Sequence, residues 1–252
     1  MASRSTISFL RSLQQKKFRA EEGCFVVEGP KLVTEVLQSD FTVLKLYATA
    51  AWDISSLKAE IEMELLTEKE IGQVSNLQTP NKVIAVVKTP AQHQPVIPQS
   101  GLHLMVDQVQ DPGNLGTIIR IADWFGIASI FCSDDTVEAF NPKVVQSTMG
   151  SIFRVPVYYG SLPDILMKNV AATNLPVFAT LLDGENLYYS ELSKNGFIIM
   201  GNESRGLNKI LLPFITKGLK IPSSENWGAK AESLNVAVAT GIVCAEFRRQ
   251  FS

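Results

Sequence analysis

Three polar loops in the second half of the chain carry the residue types from which a site can be built. The first is DQVQDPGNLGTIIRIADWFG, from Asp107 to Gly126. Asp111-Pro112-Gly113 is a turn signal, and Asn114 then stands where a helix N-cap belongs. Asn114 thus reads either as a cap or as a polar group offered to a ligand. Arg120 interrupts the apolar run IIRIA, so it reads either as a rim residue or as a cation aimed at an anion or nucleotide. The second loop, MGNESRGLNK, follows a strongly apolar run. Gly201 permits close approach of backbone, Gly206 permits an unusual dihedral, and Glu203 offers a carboxylate. The third runs from Ile221-Pro222 to Ser233-Leu234-Asn235, where Ser233 either caps the next helix or lines a site. A carboxylate, two amides and a guanidinium can orient a polar substrate and stabilise developing negative charge.

The elements around these loops alternate. LHLMVD, IASIFCS, VPVYY, VFATLL, FIIMG and LKIP read as strands. Helices are expected from Asn114, standing at the N-cap, to Gly126, and at Asn141–Met149, Leu162–Ala172, Leu207–Ile215 and Glu232–Gln250, the last with a buried stripe of Leu234, Val238, Ile242 and Ala245. Such alternation predicts an α/β fold with a mostly parallel sheet covered on both faces. Ligands of such sheets bind outside the carboxyl ends of the strands, where all three loops fall.

The first half is a smaller α/β module. Its opening residues, up to Arg19, carry Arg4, Arg11, Lys16, Lys17 and Arg19 and no acid, on a rough amphipathic stripe. Arg11, Lys16, Lys17 and Arg19 are therefore candidate phosphate contacts. CFVVE, TVLKLYAT and KVIAVVK read as strands, and Pro30–Gln38, Ser56–Met63 and Thr67–Val74 as helices. Thr89–Ser100, with three prolines and three glutamines, reads as a linker. The expected domains are 1–89, a linker over 90–100, and 101–252.

Taken in order, DPGNLGTIIRIADWFG, MGNESRGL and ESLNVAVATG resemble the three motifs of the SpoU (TrmH-like) RNA ribose 2′-O-methyltransferases. FNPKVVQSTMGSIFRVPV is similar to the segment that connects the first two, and KKFRAEEGCFVVEGPKLVTEVL to the substrate-binding module fused in front. Ile121 and Ser204 are small variations within the motifs. The resemblance implies a SPOUT domain with a deep trefoil knot and a small L30e-like α/β domain before it. It also implies S-adenosyl-L-methionine as cofactor, contacted at Thr180, Gly201, Ile221 and Leu234, and a homodimer. By the same resemblance Arg120 lies nearest the ribose oxygen, supported by Asn114, Glu203, Ser233 and Asn235. An arginine essentially never deprotonates in a protein, so Arg120 is expected to orient and stabilise charge rather than act as base. Glu203 is expected to fix either Arg120 or Asn114. Ribosomal RNA is favoured over transfer RNA; a non-catalytic RNA-binding homologue is the rival reading.

Composition narrows the alternatives. A chain of 252 residues, 46% hydrophobic and 19% charged, is neither disordered nor fibrous. The net charge of −2 gives no global basic field, so any nucleic-acid contact must be local. There is no GxGxxG fingerprint, no Walker A loop and no metal-ligand cluster in the sequence, so no metal is expected. His93 and His103 are expected in structural or surface roles. The three cysteines stand apart in apolar surroundings, and no signal segment or membrane-length apolar run is present, so a cytoplasmic protein is expected.

Overall fold

The computed structural model describes residues 3–53, 61–77, 79–91, 96–224 and 233–251. Parts of the expected helix at Ser56–Met63, of the linker with His93, and of the third loop lie outside these residues. The chain forms two compact units. The first comprises 1–91 together with Glu138–Arg154; the second comprises Gln92–Val137 and Val155–Ser252.

The basic opening folds as two helices rather than one, α1 (Arg4–Ser12) and α2 (Lys16–Glu22), with Ser3 capping the first. There follow β1 (Cys24–Glu28), α3 (Pro30–Leu37), β2 (Val43–Ala48), β3 (Met63–Leu65), α4 (Glu68–Val74) and β4 (Val83–Lys88). Thr67 and Glu70 form a reciprocal capping box at the start of α4. The sheet order is β1-β4-β2-β3, antiparallel except for the short β3 beside β2. Leu10 and Leu13 are buried with Ile71, Val74, Ile84 and Val86, which explains the apolar stripe of the opening segment.

The second half runs β5 (Leu102–Val106), α5 (Pro112–Phe125), β6 (Ser129–Cys132), α6 (Pro142–Thr148), β7 (Val157–Tyr159), α7 (Leu162–Ala172), β8 (Val177–Asn186), β9 (Gly196–Met200), β10 (Lys217–Lys220) and α8 (Val236–Phe251). Helix α6 belongs to the first unit. Phe140 and Phe153 of its segment pack with Phe25 and Phe41, and Arg154 pairs with Glu35. The second sheet has order β10-β8-β9-β5-β6-β7, and all its pairs are parallel, as the alternation predicts. The expected helix at Leu207–Ile215 is only a 3-10 stretch, Lys209–Phe214, because Pro213 cannot donate to a helical ladder. Between β8 and β10 the register jumps from Ala179↔Gly218 to Glu185↔Leu219, so 180–184 leave the ladder. Gly184 has the Leu219 backbone 2.7 Å from where a Cβ would sit, so this crossing admits no side chain there.

His103 is buried on β5 in a structural role. Its Nε2 lies 2.9 Å from the Ser100 carbonyl and Nδ1 2.8 Å from Ser129 Oγ. A carbonyl only accepts, so Nε2 carries the proton and the Ser129 hydroxyl donates to Nδ1. Burial holds the imidazole pKa below its ordinary value, against a smaller upward pull from the Ser100 carbonyl.

Candidate active site

Helix α5 begins earlier than the position of Asn114 suggests. Asp111 is the N-cap, its Oδ1 accepting from the Asn114 N–H at 2.9 Å, and Pro112 takes the first helical position. Asn114 therefore sits in the first turn, where its side chain is not needed as the cap. Leu115, Ile118, Ile119 and Ala122 bury one face of α5, and Gly126 closes it in the left-handed conformation at φ +62°.

Helix α8 is capped by Asn235, not Ser233. Asn235 Oδ1 accepts from Ala237 N at 3.0 Å and Val238 N at 3.2 Å. The buried face of α8 is Val236, Ala237, Thr240, Val243, Cys244, Glu246 and Phe247, so the expected stripe is displaced. Leu234, Val238 and Ala245 are exposed and Ile242 is half-buried. Helices α5 and α8 run parallel. Their first turns meet through Asn114 and Asn235, Ile121 lies against Gly241, and Arg248 donates to the Phe125 and Gly126 carbonyls at the far end.

Glu203 closes the near end. Its Oε1 accepts from Asn114 Nδ2 at 3.1 Å, Asn235 Nδ2 at 2.7 Å and Val236 N at 2.8 Å. Asn235 Nδ2 also donates to Asn114 Oδ1 at 2.8 Å. One carboxylate thus joins all three loops, at the positive end of α8, where negative charge is favoured. Of the two expected partners of Glu203, the structure selects Asn114. Arg120 is exposed, and its side chain makes no hydrogen bond or ion pair among the described residues. Six residues beyond Asn114 it stands about 9 Å further along the helix and about a third of a turn away. Ser233 is exposed and likewise makes no hydrogen bond among the described residues.

Thr180, Gly201 and Ile221 are half-buried: Thr180 lies within β8, one residue past its ladder with β9, and Gly201 and Ile221 lie just past the carboxyl ends of β9 and β10. Leu234 is exposed beside the cap of α8. Two residues that sequence reasoning missed hold the second loop. Asp107, buried at the end of β5, accepts from Asn208 N at 2.8 Å, and Asn202 Nδ2 donates to the Gln108 carbonyl at 2.8 Å. A carboxylate ending a five-residue apolar strand was the available signal for Asp107.

The four candidate phosphate contacts of the first unit are not equivalent. Lys16 and Lys17 are exposed, Lys17 lying 3.8 Å from Glu21. Arg11 is exposed and donates through Nε to the Gln73 carbonyl at 2.8 Å. Arg19 is not placed to meet a phosphate. It is 3% exposed, its guanidinium donating to the Leu13 carbonyl at 2.8 Å and pairing with Glu138. Glu138 belongs to the segment that the second half returns to this unit, so sequence proximity gave no sign of the pair.

A parallel α/β sheet with three polar loops joined at its carboxyl edge places a ligand site there, and the chain belongs to the SpoU rRNA Methylase family, which residues 101–245 match. Residues 4–85 match the MRM3-like substrate binding domain. Among relatives, the chain is 34% identical over 240 residues to the Bacillus subtilis 23S rRNA (guanosine(2553)-2′-O)-methyltransferase RlmP, covering 94% of each. It is similar to a solved structure of a TrmH-family protein from Porphyromonas gingivalis, at 40% identity, TM-score 0.88 and 99% of each chain. It also matches an AdoMet-bound rRNA methyltransferase from Sinorhizobium meliloti, at 30% identity, TM-score 0.88, over 100% of this chain and 98% of the other.

Proposed function

We propose that the protein transfers a methyl group from S-adenosyl-L-methionine to a ribose 2′-hydroxyl of ribosomal RNA. The carrying observation is the single carboxylate oxygen of Glu203 that binds Asn114, Asn235 and the α8 N-terminus together. The cofactor fits the residues present. Half-buried Thr180, Gly201 and Ile221 offer strand-end backbone together with apolar surface, and 180–184 lie outside the ladder. Leu234 would extend this wall. When bound, the cofactor supplies a methyl group already activated by its sulfonium, so the protein's task is alignment.

Glu203 locks the facing amides of Asn114 and Asn235 and removes their freedom before substrate arrives. The exposed guanidinium of Arg120 orients the ribose or a neighbouring phosphate and stabilises the developing oxyanion as the hydroxyl loses its proton to water or phosphate. Ser233 lines the entry beside Leu234. In the first unit Lys16, Lys17 and Arg11 contact phosphates; Arg19 does not.

Three further readings belong to the same proposal. The close passage of Gly184 against Leu219, with β10 inserted beside β8, supports a trefoil knot in the second unit. Trp124 is 85% and Val238 53% exposed on α5 and α8, and a second copy of this chain would cover them. The three cysteines are free and buried, in keeping with the cytoplasm. Among the described residues no helix is long and apolar enough to cross a membrane.

The test is a map of ribose methylation in total RNA from cells with and without the gene. One position in ribosomal RNA should lose its methyl group. An unchanged ribosomal map with a lost transfer RNA methyl group would move the substrate, and no change in either would refute the activity.

A further inference from the structure

The turn that carries Glu203 is tied at both feet to the end of β5. Asn202 and Gly206 exchange backbone hydrogen bonds at 3.0 and 2.9 Å, with Gly206 at φ +68°. Asn202 Oδ1 accepts from Ser204 N at 2.9 Å and Arg205 N at 3.1 Å, which fixes the turn's shape. Its Nδ2 donates to the Gln108 carbonyl at 2.8 Å, which fixes the turn's place. Gln108 is itself held, at φ +58°, by donating from its N–H to Ser133 Oγ at 2.9 Å.

Beyond the turn, Asp107 Oδ2 accepts from Asn208 N at 2.8 Å, while Asp107 N donates to the Met200 carbonyl at 2.9 Å. Asp107 is 3% exposed, and burial raises its carboxyl pKa, which the Asn208 N–H partly offsets. A carboxylate kept under such burial is expensive, so the bond it makes must matter to the position of the chain. Nor is there slack within the turn, since a Cβ on Gly201 would lie 2.8 Å from the Gly206 carbonyl.

We infer that Asp107 and Asn202 are positioning residues for methyl transfer: they clamp the turn 202–206 so that the Glu203 carboxylate meets Asn114 and Asn235. The inference rests on the reading of Glu203 given above. Half an ångström of drift in such a constellation is enough to lose rate without losing binding. Asn202 is only half-buried and its turn is exposed, so its removal disturbs position more than folding.

The experiment measures kcat and RNA KM for methyl transfer, with calorimetric Kd for S-adenosylmethionine, in Asn202→Ala, Glu203→Gln and the double variant. Asn202→Ala should lower kcat about tenfold, with KM and Kd within about threefold, and should cost less than about twofold more once Glu203 is already Gln. Asp107→Leu should behave like Asn202→Ala, and Asp107→Asn, which keeps an acceptor for Asn208, should recover most of the rate. If Asp107→Leu fails to fold, the Asn202 cycle alone decides. Full kcat in Asn202→Ala, or losses that multiply independently, would overturn the clamp while leaving Glu203 in the site. Full kcat in Glu203→Gln would instead overturn the reading of the site, and the clamp with it.

Discussion

The two ends of the α5–α8 pair are built from the same kinds of bond and serve different ends. At the far end Arg248 donates to the Phe125 and Gly126 carbonyls, satisfying the last groups of α5. At the near end half-buried Asn114 and exposed Asn235 and Glu203 bond mainly to one another, in excess of what capping requires. Asp111 already caps α5, and Asn235 Oδ1 alone would cap α8. The far end closes a helix, whereas the near end holds polar side chains ready at a surface. Stability and chemistry are thus separable along one helix pair.

The sharpest way to break that distinction is Asn235→Asp. The cap acceptor survives, but the donor to Glu203 becomes a second carboxylate. Methyl transfer should fall about 100-fold while the melting temperature moves by only a few degrees. Next in size, within the first unit, is Arg19→Met. It leaves Glu138 partly buried without its partner, and should cost about 3 kcal/mol in denaturant unfolding. RNA affinity of the folded protein should stay unchanged at fixed salt. At the far end, Gly126→Ala places a Cβ at φ +62° and against Arg248, and should cost about 1–2 kcal/mol with transfer unaffected.

The smallest expected effect is a pH dependence at His103. Its folded pKa lies below the ordinary 6.5, so the unfolded chain binds the proton first. Its contribution is complete above about 6.5 and is lost as pH falls from there through the folded value. His103→Gln should flatten that acid limb in melts followed across pH, and an unchanged limb would assign it to other groups.

Much of this was legible in the sequence because it is local. Continuous apolar runs alternating with helix-like stretches gave the parallel sheet and most of its helices, and Gly126 and Gly206 take the conformations that glycine permits. The cap of α5 was misplaced by three residues: Asn114 has the right side chain for a cap, but Pro112 takes the first helical position and makes Asp111 the cap. What stayed hidden depends on distant partners. Arg19 looks like one more surface cation until Glu138, 119 residues away, is placed beside it. Asn202 acts on the Gln108 backbone 94 residues back, and no side-chain pattern records that. The apolar row of α8 satisfied helical spacing while the core took a neighbouring face, since periodicity fixes a stripe and not its direction.

The central claim, that Glu203 serves the site and not the fold, is tested most directly by single-turnover methyl transfer with Glu203→Gln beside wild type, each followed by a thermal melt. The account predicts a rate at least about 100-fold lower with S-adenosylmethionine still bound and the melting temperature nearly unchanged. A variant that melts early yet, once folded, transfers methyl at the wild-type rate would contradict it.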